Sequence, residues 1–293
     1  MMQSTYFPLQ KHITLLFAIL FLLLTTRQAM AQENSFGFKA GLNFSQFTKG
    51  ELEAGEANSN VSGFHIGILM NTAFTDNFGL RSELLYAQRG NSYTYEGDSY
   101  FIFSPSDLRI STRGTRNVAL TVSNKYIQLP IMGYAKFGRI EFMGGVYGSL
   151  RIGSLGDGTM TYQSDALGNE AREFILAYSY GRDEAGGFDD TVETVFINGN
   201  RVEIPSELGA YYEYANTPTQ HLYKALDFGV VGGAAFYLGK ALFIQVRAEY
   251  GLADVTNDDT DISIAQLSDN NNLLKRMDDD RNFTIHTAVG FRF

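Results

Sequence analysis

Along much of this chain apolar and non-apolar residues alternate one for one, the period of a strand with two unlike faces. Phe36, Phe38, Ala40, Leu42 and Phe44 alternate with Gly37, Lys39, Gly41, Asn43 and Ser45. The same period runs through residues 64–74, 80–87, 127–135, 141–150, 226–236, 242–250 and 283–293. Each segment is close to the roughly 9–11 residues that a tilted transmembrane strand requires. The pattern predicts an all-β protein of about eight strands.

The connections sort into two kinds. Thr75-Asp76-Asn77, Gly138-Arg139 and Gly239-Lys240 are short turns, whereas 48–62, 93–124, 151–224 and 253–281 read as long loops. Short turns at one end and long loops at the other is the asymmetry of outer-membrane barrels, with turns periplasmic and loops extracellular. The faces agree. Lys39, Arg81, Glu83, Arg89, Glu141, Asp227, Arg247, Glu249 and Arg292 share one face, and aliphatic and aromatic residues share the other. Turned to water, the apolar face would exceed by far the few hundred Å² that soluble monomers expose. Turned to lipid it is satisfied, and closure removes every unpaired strand edge. The expectation is a transmembrane antiparallel up-and-down β-barrel with long extracellular loops. Phe36, Phe74, Phe78, Phe137 and Phe293 near the turns, and Phe44, Phe64, Tyr86, Tyr250 and Phe283 near the loops, suit the two interfacial aromatic girdles.

The N-terminus adds export. Lys11 and His12 precede a run from 13 to 24 that is apolar apart from Thr14, and a short polar stretch ends in Ala29-Met30-Ala31. Such a run is too short to cross roughly 30 Å of hydrocarbon as a helix, and it has the layout of a secretory signal peptide. Residues 1–31 are expected to be that peptide, cleaved before Gln32, and 32–293 the barrel domain. With no Cys in the chain, disulfides, thiolate sites and a lipidated N-terminal Cys are excluded. Loss of Lys11 and Arg27 leaves 21 basic against 32 acidic residues, a mature net charge of −11. Without clustered Lys and Arg, nucleic acid is excluded as a partner class. The 23 Phe and 17 Tyr favour strands.

Phe36-Gly37-Phe38-Lys39-Ala40-Gly41-Leu42-Asn43-Phe44-Ser45 resembles the first strand of the porin-like outer-membrane β-barrel family that includes the PorT-like proteins. Residues 80–89, Tyr126-Ile127-Gln128-Leu129-Pro130, Asp227-Phe228-Gly229 and Tyr250-Gly251-Leu252 resemble its internal blocks. The likeness covers most of 35–293 at the level of pattern. It implies an outer-membrane barrel, usually without an assigned activity, and one branch of the family serves a secretion system. Val289, Phe291 and Phe293 form a terminal apolar face like the signal that outer-membrane insertion machinery reads by strand addition, although Phe293 also suits a girdle.

Candidate chemistry is sparse. Five basic and four acidic inward residues are close to balance, which favours a salt-bridged filling over the single-sign lining of a selective pore. His65 and His286 point inward near the loop ends and could serve as a base at the rim or bind a metal, but no nucleophile motif accompanies them, their spacing matches no metal pattern, and polar filling explains them. Acidic pairs at Asp183-Glu184, Asp189-Asp190, Asp258-Asp259 and the run Asp278-Asp279-Asp280 could gather a divalent cation; none forms a calcium-loop pattern, and solvated surface explains them too. Within 151–224, Asn198-Gly199-Asn200 signals a hairpin between 192–197 and 201–204. Tyr211, Tyr212 and Tyr214 read either as a binding patch or as an upward extension of the sixth strand. No catalytic residue, cofactor or metal site is expected. The expected partners are outer-membrane lipid, the insertion machinery, and a protein or glycan at the loops. The functional expectation is a non-enzymatic structural or surface-interaction protein; the alternatives are a narrow passive porin or the barrel of a secretion system.

Overall fold

The computed structural model describes residues 33–48, 52–103 and 109–293. The proposed cleavage residues Ala29, Ala31 and Gln32 lie outside the described residues. Eight strands form the transmembrane part: β1 (Glu33–Thr48), β2 (Val61–Ala73), β3 (Phe78–Phe103), β4 (Ile110–Phe137), β5 (Ile140–Gln163), β6 (Leu226–Tyr237), β7 (Leu242–Gly251) and β8 (Arg281–Arg292). Each is hydrogen-bonded to its neighbour in sequence, and from β2 to β8 every such pair is antiparallel. The first and last also pair, from Gly37↔Arg292 to Thr48↔Arg281, so the ladder runs round a ring. Phe293 extends it, its amide donating to the Phe36 carbonyl at 2.8 Å.

Period-two alternation sets the two faces. On β7, Leu242, Ile244, Val246, Ala248 and Tyr250 are exposed while Phe243, Gln245, Arg247 and Glu249 are buried. Ile68, Phe142 and Phe228 on other strands expose 61%, 55% and 56% of their surface, an apolar belt that only lipid satisfies. Girdle rings pair across strands, Phe78 with Phe137 at 6.4 Å and Phe64 with Tyr86 at 5.5 Å between centroids. Among the described residues no helix is long and apolar enough to cross a membrane. The strands do so instead.

The turn side is tight. Gly138, at φ +61°, opens the two-residue turn between β4 and β5, where a first turn residue with positive φ matches strand twist. The loop side differs from expectation. Residues 93–124 are not a loop: β3 and β4 run on, paired from Phe78↔Ala135 to Phe103↔Ile110, as strands of 26 and 28 residues. Likewise β5 continues to Gln163, so the 151–224 connection starts later than its pattern suggests. A bulge at the membrane boundary explains why alternation stops there: Lys125 faces Gly153 but Tyr126 faces Arg151, leaving Ile152 as the extra residue. An extra residue of this kind flips the parity of the rest of the strand. Past Ile152 the buried residues are Ser154, Gly156, Met160 and Tyr162.

These extensions become the wall of a folded cap. Glu56–Ser59 pairs with β3, and Ala171–Ser179 pairs with β5 and with Glu207–Leu208. The expected hairpin is present, Thr191–Ile197 against Asn200–Pro205, with Asn198 and Gly199 both at positive φ as a type I′ turn requires. Tyr211, Tyr212 and Tyr214 are not an extension of β6; they lie in a turn before it, with Tyr211 and Tyr212 buried. Around them is an apolar core of the cap's own, including Phe101, Phe103, Tyr162, Phe174, Leu208 and Tyr212.

Candidate functional site

The lumen follows directly from strand parity. Lys39, Arg81, Glu83, Arg89, Glu141, Asp227, Arg247 and Glu249 all lie inside, each at most 2% exposed. Arg292 is set apart, half-buried at the turn-side mouth with its guanidinium 5.1 Å from the centre of the Tyr237 ring. The sealed set is therefore four cations and four carboxylates. Six of them form a chain of alternating sign across the barrel. Asp227 accepts from Arg89 at 3.0 Å, Arg89 reaches Glu249 at 3.0 Å, and Glu249 meets Arg247 at 2.9 Å. Arg247 and Lys39 then share Glu83 Oε2, each at 2.6 Å. Nearer the turns Arg81 pairs with Glu141 at 2.7 Å, with the Tyr237 hydroxyl donating to Glu141 at 3.0 Å.

Uncharged neighbours of the same parity complete the filling. Gln128 Nε2 donates to both Glu249 oxygens at 2.9 Å, and Gln245 Oε1 accepts from Lys39 at 3.0 Å. His65 and His286 do meet across β1, with ring centres 5.1 Å apart, and His286 Nε2 lies 3.0 Å from Glu249. Both rings are 1% exposed. They sit inside the ionic layer rather than at an open rim. On the turn side the layer rests on Leu69, Met132, Tyr134, Met143, Tyr147 and Phe243. On the loop side Phe47, Val122, Tyr180, Tyr211, Tyr223 and Val255 close over it, Tyr180 and Tyr223 meeting edge to face at 4.9 Å. Eight strands leave an interior just wide enough for side chains to fill, and these fill it.

Above that aromatic seal the cap encloses a cavity of about 1090 Å³, counted to its open mouth. Its floor includes Phe47, Val122 and Tyr223, and its walls include Leu120, Met160, Tyr178, Tyr180, Tyr212, Tyr214 and Ile264. Burial pushes the phenols of Tyr178, Tyr180, Tyr214 and Tyr223 up, so these hydroxyls stay neutral across the physiological range. Two ion pairs brace the walls. Arg116 donates to both Glu213 oxygens at 3.1 and 2.9 Å, and its guanidinium stacks on Tyr100 and Phe101, each 5.4 Å from the ring centre. Burial works against the Arg116 charge, and Glu213 more than restores it.

The second brace is Arg276 on Glu56, at 2.6 Å. Burial raises the Glu56 carboxyl, but the Tyr93 hydroxyl, the Glu53 amide and Arg276 outweigh that and hold it below its ordinary 4.5. A depressed carboxylate contributes stability that is present above the unfolded value and lost as pH falls through the folded one. Acidification below 4.5 is therefore expected to free this brace, read as falling amide protection at Ala57–Ser59. Glu56→Gln should flatten that dependence; a pH profile unchanged by the substitution would refute the assignment.

Two of the acidic runs read from sequence carry ion pairs. Asp259 meets Lys275, Asp278 meets Arg276 and Asp279 meets Arg281. Asp261, Asp278 and Asp280 bring one oxygen each within 4.8 Å of one another, with Arg276 supplying the compensating charge. Arg116, Glu213, Arg276 and Glu56 were not legible as site residues because they lie in segments that read as loops. Gln128 and Gln245 carried the right parity but no charge.

A ring of eight antiparallel strands with a lipid-facing belt, an ion-paired interior and a folded cap on the long-loop side defines an integral outer-membrane β-barrel protein. The chain belongs to the outer membrane protein beta-barrel domain family, whose match spans residues 30–257. No curated protein matches the sequence. Among solved structures it is similar to Ail, the attachment invasion locus protein of Yersinia pestis, in complex with the heparin analogue sucrose octasulfate. That match has 12% identity, covers 89% of this chain and 99% of that one, and has a TM-score of 0.37. It is also similar to Neisserial surface protein A, at 11% identity, 89% and 99% coverage and a TM-score of 0.36. The outer membrane protein OprG from Pseudomonas aeruginosa gives 11%, 89% and 97%, and 0.34. The protein resides in the outer membrane, its belt against lipid.

Proposed function

We propose that this is a closed, non-enzymatic barrel whose membrane part is a scaffold and whose extracellular cap carries the interaction. The observation that carries this reading is the lumen: eight charged side chains, balanced in sign and each at most 2% exposed. A conducting pore needs a water-lined path with polar groups left available to the solute. Here Tyr180, Tyr211 and Tyr223 lie across the path on the loop side. A rim enzyme would need an accessible base, and His65 and His286 face each other inside the ionic layer. The partner of the cap is a protein, a glycan or a smaller molecule at the cell surface. Passive solute transport and membership of a secretion system have no specific feature in their favour.

The same reading takes residues 1–31 as a signal peptide removed before Gln32 and 32–293 as the barrel domain, which the intact mass of the purified protein tests. It takes Val289, Phe291 and Phe293 as the insertion signal: all three face outward on the strand that closes the ring. The decisive measurement is planar-bilayer recording of the reconstituted protein. We expect no discrete conductance steps at moderate voltage. Reproducible steps, confirmed by solute-driven swelling of vesicles, would overturn the closed barrel.

A further inference from the structure

We propose that the cap cavity is a binding site for a small uncharged molecule with an apolar, ring-sized body. This rests on the cap, not the lumen, being the functional end. The cavity has attributes of a small-molecule site: it is concave, its lining is more apolar than polar, and tyrosine rings make up much of its wall. It is not the void of an imperfect core, because cores close to a packing density that leaves few spaces larger than a water molecule.

The chemistry of the lining selects the ligand. Tyrosine rings supply flat apolar walls, and hydroxyls among them are already committed: Tyr93 to the Glu56 carboxylate and Tyr214 to the Thr260 carbonyl. The hydroxyl of Tyr178 bonds to no described residue while its side chain lines the cavity, which leaves one polar anchor. Both cations of the lining are engaged, Arg116 with Glu213 and Arg276 with Glu56 and Asp278. An anionic headgroup would therefore find no open cation, and would meet Asp261 and Asp280 besides. An uncharged ring or short chain loses nothing there.

The test uses the full protein in phosphatidylcholine nanodiscs, titrated with the neutral probe N-phenyl-1-naphthylamine and with the anionic anilinonaphthalene sulfonate. Emission from empty nanodiscs is subtracted. We expect saturable binding of the neutral probe, at least about tenfold tighter than the anionic one. Leu120→Trp and Leu222→Trp, which fill the cavity from different segments, should each abolish it while the heat-modifiable gel shift persists. If one variant loses that shift, the other decides. No saturable signal above empty nanodiscs, equal affinity for the two probes, or binding that survives the filled cavity would each overturn the site. Any of these outcomes with a silent bilayer would remove the cavity ligand and leave the closed barrel standing; conductance steps together with saturable binding that the filled cavity abolishes would overturn the closed barrel and leave the site.

Discussion

Replacing Glu249 by Ala is expected to lower the unfolding free energy of the reconstituted barrel by about 3–5 kcal/mol, the cost of leaving buried ionic partners uncompensated. Glu249 is the node of the lumen. It meets Arg89 at 3.0 Å, Arg247 at 2.9 Å and His286 at 3.0 Å, and accepts from Gln128 at 2.9 Å. In a sealed interior neither guanidinium can recover hydration. Removing an ion pair is cheap only when both charges leave together. Glu249→Gln keeps the shape and part of the hydrogen bonding, so its loss should be smaller. Asp259→Asn, at an exposed pair with Lys275, should change nothing measurable, since such pairs contribute little. Urea titration in lipid vesicles, followed by the gel shift of the folded form, reads all three. If Glu249→Ala unfolds together with the unmodified protein, the network is not what holds the lumen.

The inner charges were legible because period two commits every second side chain to one face. What alternation could not give was the pairing. Lys39 and Glu83 come from strands separated by β2, and Arg247 reaches Glu83 across the lumen from β7, which only closure of the ring allows. The cap was less legible for a different reason. Above the membrane neither face of β3 and β4 meets lipid, so Thr94, Glu96 and Asp98 share strands with Phe101 and Phe103 without a clean stripe. The bulge at Ile152 then reverses parity, and Met160 and Tyr162 fall on the face that simple counting assigns outward. The Asn198-Gly199 hairpin could be read inside this region because its signal is local to the turn, independent of what either face touches.

Arg116 offers the corresponding lever on the cap. Its guanidinium joins β4 to the 207–214 segment through the two-oxygen fork on Glu213, and also donates to the Tyr100 carbonyl. Glu213 in turn accepts from the Ile102 amide at 3.0 Å, and its own carbonyl accepts from Arg109 at 2.6 Å. Arg116→Ala therefore leaves a largely buried carboxylate beside the tip of β3 and empties the space between Tyr100, Phe101 and Tyr162. A loss of about 3 kcal/mol, the low end for breaking a buried pair, corresponds to a roughly hundredfold rise in local opening. Amide exchange at Tyr211–Tyr214 should accelerate by that factor. The barrel strands should keep their protection, because no member of the lumen network touches Arg116. Arg116→Lys should recover little, since an ammonium cannot reproduce the planar fork or the stacking. Acceleration spread evenly over cap and barrel would mean that the two unfold as one unit; no acceleration at all would mean that the tyrosines, not the ion pair, hold the wall. If the cap opens alone, the cavity loses Tyr212 and Tyr214 from its lining, and neutral-probe binding should vanish in the same variant.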